Sequence, residues 1–101
     1  MKKDPNEFTL ITDDPITLDL TDCKYPDDLH DRIQKTFGFP EYYGKNWNAM
    51  WDCIEHLFDK REILIKGYET MPKAGQDYCR ELFAILEDLH RENPDISYRI
   101  I

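Results

Sequence analysis

Residues 40–55 bring together the side chains of this sequence that are best suited to binding a charged partner. Two tyrosines, two tryptophans and two of its carboxylates could contact such a partner together: Tyr42, Tyr43, Trp47, Trp51, Asp52 and Glu55. Exposed tyrosine and tryptophan around a charged group are typical of hot spots at protein interfaces. A short carboxylate on a rigid helix can take the place of a phosphate group in a basic pocket. The segment therefore predicts a surface for a positively charged partner.

Helical spacing separates a buried side of this segment from an exposed one. Asn46 is a suitable N-cap for a helix that runs to about Leu57 or Phe58. The spacing i, i+3, i+4 and i+7 predicts a core stripe of Met50, Cys53, Ile54 and Leu57. Another face carries Asn48, Asp52 and Glu55, with Trp51 beside it and Trp47 at the border between the two stripes. In the preceding loop, Gly44 lets a partner approach the backbone closely.

A small hydrolase is the main alternative from a different functional class. Cys53 and His56 lie at i and i+3, but Cys53 falls on the core stripe, which favours an inert buried thiol. The sequence contains no glycine-rich phosphate loop and no nucleophile elbow. Asp52 and Glu55 lie on a water-exposed helix face, a poor environment for acid–base catalysis. We therefore expect no catalytic residues, no cofactor and no metal site.

The composition predicts one folded and strongly acidic domain. The chain has 101 residues, of which 34% are charged and 13% aromatic, and its net charge is −8. A chain of this length commonly forms a single core. Its negative charge repels nucleic acid and attracts basic proteins. We therefore expect a basic protein partner and no direct contact with nucleic acid.

Cysteine usage and hydropathy favour a cytoplasmic protein. Cys23, Cys53 and Cys79 are widely spaced and form no CxxC pair, which indicates free thiols in a reducing compartment. The sequence shows neither a signal peptide at its start nor an apolar run of about 20 residues. We therefore expect a cytoplasmic location and no membrane segment.

Short β-type runs alternate with helical segments along the chain. Strands are predicted over 8–12, 16–20, 62–65 and 96–100, the first as an edge strand in a hairpin with the second. Helices are predicted from Pro26 to a stop at Gly38, from Asn46 onward as above, and over 76–92. This order predicts crossover connections and a mainly parallel sheet in a layered α/β domain.

The stretch from Pro40 to Cys53 reads PEYYGKNWNAMWDC, which resembles the signature of the barstar family of ribonuclease inhibitors. Weaker similarity extends from about Ile16 through Ile100. The resemblance implies an α/β fold of three layers, with a small, mainly parallel three-stranded sheet packed with helices. It implies a barstar-like domain over 16–101, preceded by an N-terminal extension over 1–15 that holds the edge strand.

The resemblance also implies that the second helix and the loop before it enter the active site of a ribonuclease. Carried over by position, the contact residues are Tyr42, Tyr43, Asn46, Trp51 and Asp52, with Gly44 shaping the loop and Asp88 adding an acidic contact from the last helix. The spacing of the helix faces adds Trp47, Asn48 and Glu55. The implied partner is a basic ribonuclease or nuclease toxin, bound one to one by a bacterial immunity protein or antitoxin that is a monomer when free.

The sequence departs from the family pattern within this segment. Asn48 stands where the family has a carboxylate, and the bulkier Trp47 replaces an aliphatic residue. Glu55 replaces a small residue and Leu57 a tryptophan. These departures favour a ribonuclease other than barnase. They leave open a barstar-fold protein that binds a different basic toxin or regulatory protein, and a domain without a toxin partner.

Overall fold

Three parallel strands form the framework on which the helices lie. The computed structural model describes residues 8, 11–55 and 60–101. Strands β1 (Ile16–Asp19), β2 (Arg61–Lys66) and β3 (Ile96–Ile100) form one sheet in that order, with β2 in the centre. Both strand pairs are parallel, which confirms the predicted parallel α/β fold.

One face of the sheet is buried and the other is open. Neighbours in register on parallel strands point to the same side, so Ile16, Ile63 and Tyr98 share a face. Ile16 and Ile63 are buried, whereas Thr17 and Arg99 on the other face are exposed. The described part of the chain therefore has two layers where three were expected. The physical reason is that right-handed crossovers in a 1-2-3 strand order return every helix to the same face.

Two helices connect β1 to β2. Helix α1 (Pro26–Phe37) begins at a proline and ends at Gly38, whose φ of 69° is left-handed, as predicted from these two residues. Helix α2 (Trp47–Ile54) follows after a loop. The predicted end of this helix at Leu57 or Phe58 lies outside the described residues.

The single helix predicted over 76–92 is wrong, since two helices connect β2 to β3. After a 3₁₀ turn at Tyr68–Thr70, helix α3 (Lys73–Tyr78) and helix α4 (Arg80–Glu92) are separated at Cys79. The Cys79 N–H keeps the regular hydrogen bond to the Gly75 carbonyl oxygen at 3.0 Å. It also donates to the Gln76 carbonyl oxygen at 3.1 Å, one residue nearer, which tightens the last turn of α3. Apolar spacing continues through this break, so periodicity could not reveal it.

The residues before β1 pack against the domain. The Phe8 ring lies edge-on to Phe39, with ring centroids 6.3 Å apart. The Arg61 guanidinium donates a 2.8 Å hydrogen bond to the Ile11 carbonyl oxygen. The edge strand predicted over 8–12 is not seen at positions 8, 11 and 12, and positions 9 and 10 lie outside the described residues.

The core fills the space between the buried sheet face and the helices. Its largest fully buried side chains come from every strand, from α1, α2 and α4, and from the residue that follows β1: Ile16, Leu18, Leu20, Leu29, Ile33, Met50, Ile54, Ile63, Ile65, Leu82, Leu86 and Ile96. Burying each of these contributes about 1.5–3 kcal/mol. Within the described ranges, no helix combines the length and the apolar character needed to cross a bilayer.

Candidate partner-binding surface

The loop between α1 and α2 is held by hydrogen bonds at both of its ends. At its start, the Pro40 carbonyl oxygen accepts from the Tyr43 N–H at 3.0 Å and from the Gln34 amide at 2.9 Å. At its end, the Asn46 side-chain oxygen accepts from the Ala49 N–H at 2.8 Å, which confirms Asn46 as the N-cap of α2. These hydrogen bonds therefore hold the start of α2 in a defined orientation.

Gly44 and Lys45 fit this loop for different reasons. A Cβ at Gly44 would lie 3.2 Å from the Asn46 side-chain nitrogen, so a side chain there would crowd the cap. The Asn46 side chain also donates a 3.1 Å hydrogen bond to the Gly44 carbonyl oxygen. Lys45 adopts a left-handed φ of 52°, and its ammonium group lies 2.8 Å from the carboxylate of Asp31 on α1. This ion pair ties the exposed tip of the loop to α1.

The face of α2 that carries Asn48, Asp52 and Glu55 points to solvent. All three residues are exposed. Opposite them, Met50, Cys53 and Ile54 are buried in the core, so the division of this helix predicted from its spacing is confirmed. We call the exposed side, defined by Asn48, Asp52 and Glu55, the polar face of α2.

The aromatic residues around the polar face differ in exposure. Tyr42 is 59% exposed, and Trp51 is half-buried against the core beside Asp52. Tyr43 is only 4% exposed, so the expectation that its side chain is offered to a partner is not met. Trp47 is half-buried and packs inward, with its ring centroid 4.8 Å from that of Tyr78. The side chain of Tyr42 is therefore available for contact, the two half-buried tryptophans are partly available, and the side chain of Tyr43 is not.

Tyr43 and Trp47 turn inward because both meet the buried imidazole of His30. The Tyr43 hydroxyl lies 2.7 Å from His30 Nδ1, and the Tyr78 hydroxyl lies 2.9 Å from His30 Nε2. The Trp47 ring lies 4.6 Å from the imidazole, centroid to centroid. Burial, and after it the negative charge of Cys53 when ionised, raises the pKa of the Tyr43 hydroxyl. These contacts join the loop, α1, α2 and α3 behind the exposed surface.

The thiol beneath the polar face is in an environment that disfavours a nucleophile. Cys53 is buried, and burial followed by the charge of Asp52 raises the pKa of its thiol. Its suggested partner in a hydrolase, His56, lies outside the described residues. Over the ranges that the structure describes, no group of three or more His, Cys, Asp or Glu side chains is arranged to hold a metal ion.

Most of the chain resembles known proteins. Residues 14–100 match the family described as "Barstar (barnase inhibitor)". The chain belongs to the barstar family. A protein of Bacillus subtilis (strain 168) described as "Putative ribonuclease inhibitor YrdF" is 28% identical over 87 residues, which cover 85% of this barstar-family chain and 94% of that protein.

In this barstar-family member, most of the predicted site residues lie in one region, which consists of α2 and the loop before it. Asp88, on α4, is separate from this region. Residues 42–55 supply the loop and the polar face of α2. Asp88 is exposed on α4, and α4 packs against α2. The sequence predictions missed His30 and Tyr78, which support the site from below. A signal for His30 was present, because it lies at i, i+3 and i+7 with Ile33 and Phe37 on the core side of α1.

Proposed function

We propose that this protein inhibits a basic ribonuclease by placing α2 and the loop before it in the active site of the enzyme. Membership of the barstar family and similarity to a protein described as a ribonuclease inhibitor support this role. The observation that carries the proposal is the exposed carboxylate of Asp52 on the polar face of α2, with Trp51 beside it and Tyr42 exposed on the preceding loop. Such a protein would protect the cell that makes or receives the ribonuclease.

Asp52 is the group that substitutes for a phosphate of RNA in this proposal. It is short, it lies on a helix whose other side is anchored in the core, and it would pair with arginine or lysine in the enzyme. Glu55, on the same face, and Asp88, on α4, extend the negative surface. Asn48 contributes hydrogen bonds without charge, which sets the charge pattern that a partner must complement.

The overall charge of −8 acts on the rate of encounter more than on the final affinity. A cationic ribonuclease is attracted over a distance that salt shortens, since the screening length is about 10 Å at 0.1 M ionic strength. The association rate should therefore fall steeply as salt is added. Once docked, Tyr42 and Trp51 exclude water from around the carboxylate, which strengthens its pairing with a basic side chain.

The test measures cleavage of a fluorogenic RNA by basic ribonucleases secreted by the source organism, with barnase as a reference enzyme. We expect inhibition at a 1:1 ratio of protein to its target enzyme. Asp52→Ala should weaken binding by at least about 2 kcal/mol, or roughly 30-fold. The matched control is Glu62→Ala, which removes one negative charge from the open face of the sheet, where Glu62 pairs with Arg99.

Three outcomes would count against the proposal in different ways. Cleavage of RNA by the purified protein itself would replace the inhibitor with a nuclease. Binding to a basic protein without any loss of ribonuclease activity would favour a different toxin or a regulatory partner. Equal effects of Asp52→Ala and Glu62→Ala would show that total charge, and not the polar face of α2, determines binding.

A further inference from the structure

From its position on α1, the imidazole of His30 contacts the loop, α2 and α3. His30 lies on α1 and is completely buried. Among the described residues, it is the one polar or charged residue that is buried. Its two ring nitrogens contact the hydroxyls of Tyr43 on the loop and Tyr78 on α3. Trp47, the first residue of α2, packs on the same ring.

The ring of His30 can accept the hydroxyl hydrogen of one tyrosine only while the imidazole is neutral. A neutral ring has one N–H that donates to one tyrosine hydroxyl and one lone pair that accepts from the other. In the tautomer that carries its hydrogen on Nε2, the ring donates to Tyr78 and accepts from the Tyr43 hydroxyl at Nδ1. Protonation turns Nδ1 into a donor, so the Tyr43 hydroxyl hydrogen loses its acceptor. For the buried Tyr43 hydroxyl, His30 is the single hydrogen-bond partner among the described residues. Leaving such a buried group unsatisfied is unfavourable.

We propose that His30 is a positioning residue for partner binding: its neutral side chain holds Tyr43 and Trp47, and proton uptake by its ring loosens the loop that they anchor. The part that concerns partner binding rests on the proposed function. The part that concerns the loop does not. Neither His30 nor Tyr78 need touch the partner for this effect, because both act through residues 43–47.

The charged groups that face the ring have opposing effects. Burial is the largest influence and lowers the pKa of His30, Asp27 and Asp31 on α1 raise it, and Lys45 on the loop lowers it again. The other titratable groups in contact with the ring are the two tyrosine hydroxyls, and α2 contributes the uncharged Trp47. Because the folded pKa lies below the ordinary value of about 6.5, the stabilisation given by the neutral contacts is fully present above about pH 6.5. It decreases as the pH falls below about 6.5 and is lost once the pH has passed the folded pKa of His30.

The first experiment follows hydrogen exchange of the folded protein without any partner. Exchange of amides 41–49 is compared with exchange of β2 amides between pH 7.5 and pH 5.5, after correction for the intrinsic pH dependence. We expect protection of amides 41–49 to fall below pH 6.5, by at most about tenfold per pH unit for one proton, while β2 protection falls less. Protection that is independent of pH, or that falls equally in β2, would overturn the proposal.

Two replacements of His30 separate its contacts. The δ amide atoms of His30→Asn take the place of Nδ1 near Tyr43, and the ε atoms of His30→Gln take the place of Nε2 near Tyr78. We expect His30→Asn to protect amides 41–49 better than His30→Gln, and both to lose the dependence on pH. If His30 variants do not fold, Tyr43→Phe removes the loop contact and keeps the ring. Its control is Tyr98→Phe, which removes a hydroxyl that donates to Glu87 on α4.

The second experiment measures affinity for the ribonuclease identified by the inhibition test. The pH dependence of the dissociation constant is compared between the native protein and His30→Asn with the same enzyme, so that titration of the enzyme cancels. We expect the native protein to lose up to about tenfold more affinity than the variant between pH 6.5 and pH 5.5. Identical pH profiles would refute a role of His30 in binding, whereas absence of any inhibited ribonuclease would refute the proposed function and leave the exchange result standing.

Discussion

Replacement of the N-cap Asn46 by alanine tests how the start of α2 is held. The helix has eight residues, so its first turn makes up a large part of its length. The substitution removes the hydrogen bond from the Ala49 N–H and the one to the Gly44 carbonyl oxygen. Loss of an asparagine N-cap costs about 1 kcal/mol, with a range of about 0.5–2 kcal/mol. For a domain of this size, that corresponds to a fall in Tm of roughly 4–8 °C.

Two further variants assign this loss to the cap. Asn46→Asp keeps an oxygen that accepts from the Ala49 N–H and places a negative charge at the positive end of the helix, so we expect a change within about 0.5 kcal/mol. Asn48→Ala changes the same residue type two positions later, at an exposed helical site where alanine is favourable, and should not destabilise the protein. Urea unfolding followed by circular dichroism measures all three variants.

The reasoning would be refuted by either of two results. If Asn46→Ala changes the free energy of unfolding by less than about 0.5 kcal/mol, the cap does not stabilise the fold to the extent expected. If Asn46→Asp loses as much as Asn46→Ala, the loss comes from the contact with Gly44 and not from the cap of the helix. The second result would mean that a contact within the loop, and not the cap of α2, accounts for the stabilisation by Asn46.

Two other substitutions, each with a matched control, test the strand framework of the domain. Gly67→Ala should destabilise the protein by at least about 1 kcal/mol in urea unfolding. The reason is that φ at this position is +80° and that the new Cβ would lie 2.5 Å from the Thr21 backbone nitrogen. The control is Gly75→Ala on α3, which should cost less because the close neighbour there is a flexible side chain. Ile63→Ala on the buried face of β2 should cost about 2–5 kcal/mol, clearly more than Leu64→Ala on the open face, and equal losses would contradict the two-layer arrangement.

The sequence was most informative where local spacing decides the structure. The exposed position of Asp52, the cap at Asn46 and the stop at Gly38 all follow from helix periodicity and terminal chemistry, and each is seen in the structure. The orientation of Tyr43 was not predictable in the same way. A loop has no period, and the partner of Tyr43 lies 13 positions away at His30. Two adjacent tyrosines therefore have identical sequence signatures and opposite orientations.

The number of layers depends on a different kind of information. The strands were predicted from alternation, and alternation in β1 already places Thr17 and Asp19 on the side away from Ile16. The family resemblance led us to expect a third layer, but the register of three parallel strands puts polar residues together on one face. A charged side chain such as that of Asp19 stays hydrated on this exposed face, and covering it with a helix would cost desolvation free energy.

The physical basis of a tight inhibitor would be that the polar face of α2 is ordered before a partner arrives. Three separate constraints act on it: the cap at Asn46, the buried side chains of Met50 and Ile54 beneath it, and the contact of Trp47 with His30 behind it. Ordering a mobile segment on binding opposes affinity, and each constraint reduces that cost in the free protein. Substitutions in the buried support should therefore weaken binding without removing any contact with the enzyme, and they should do so even when Asp52 is unchanged.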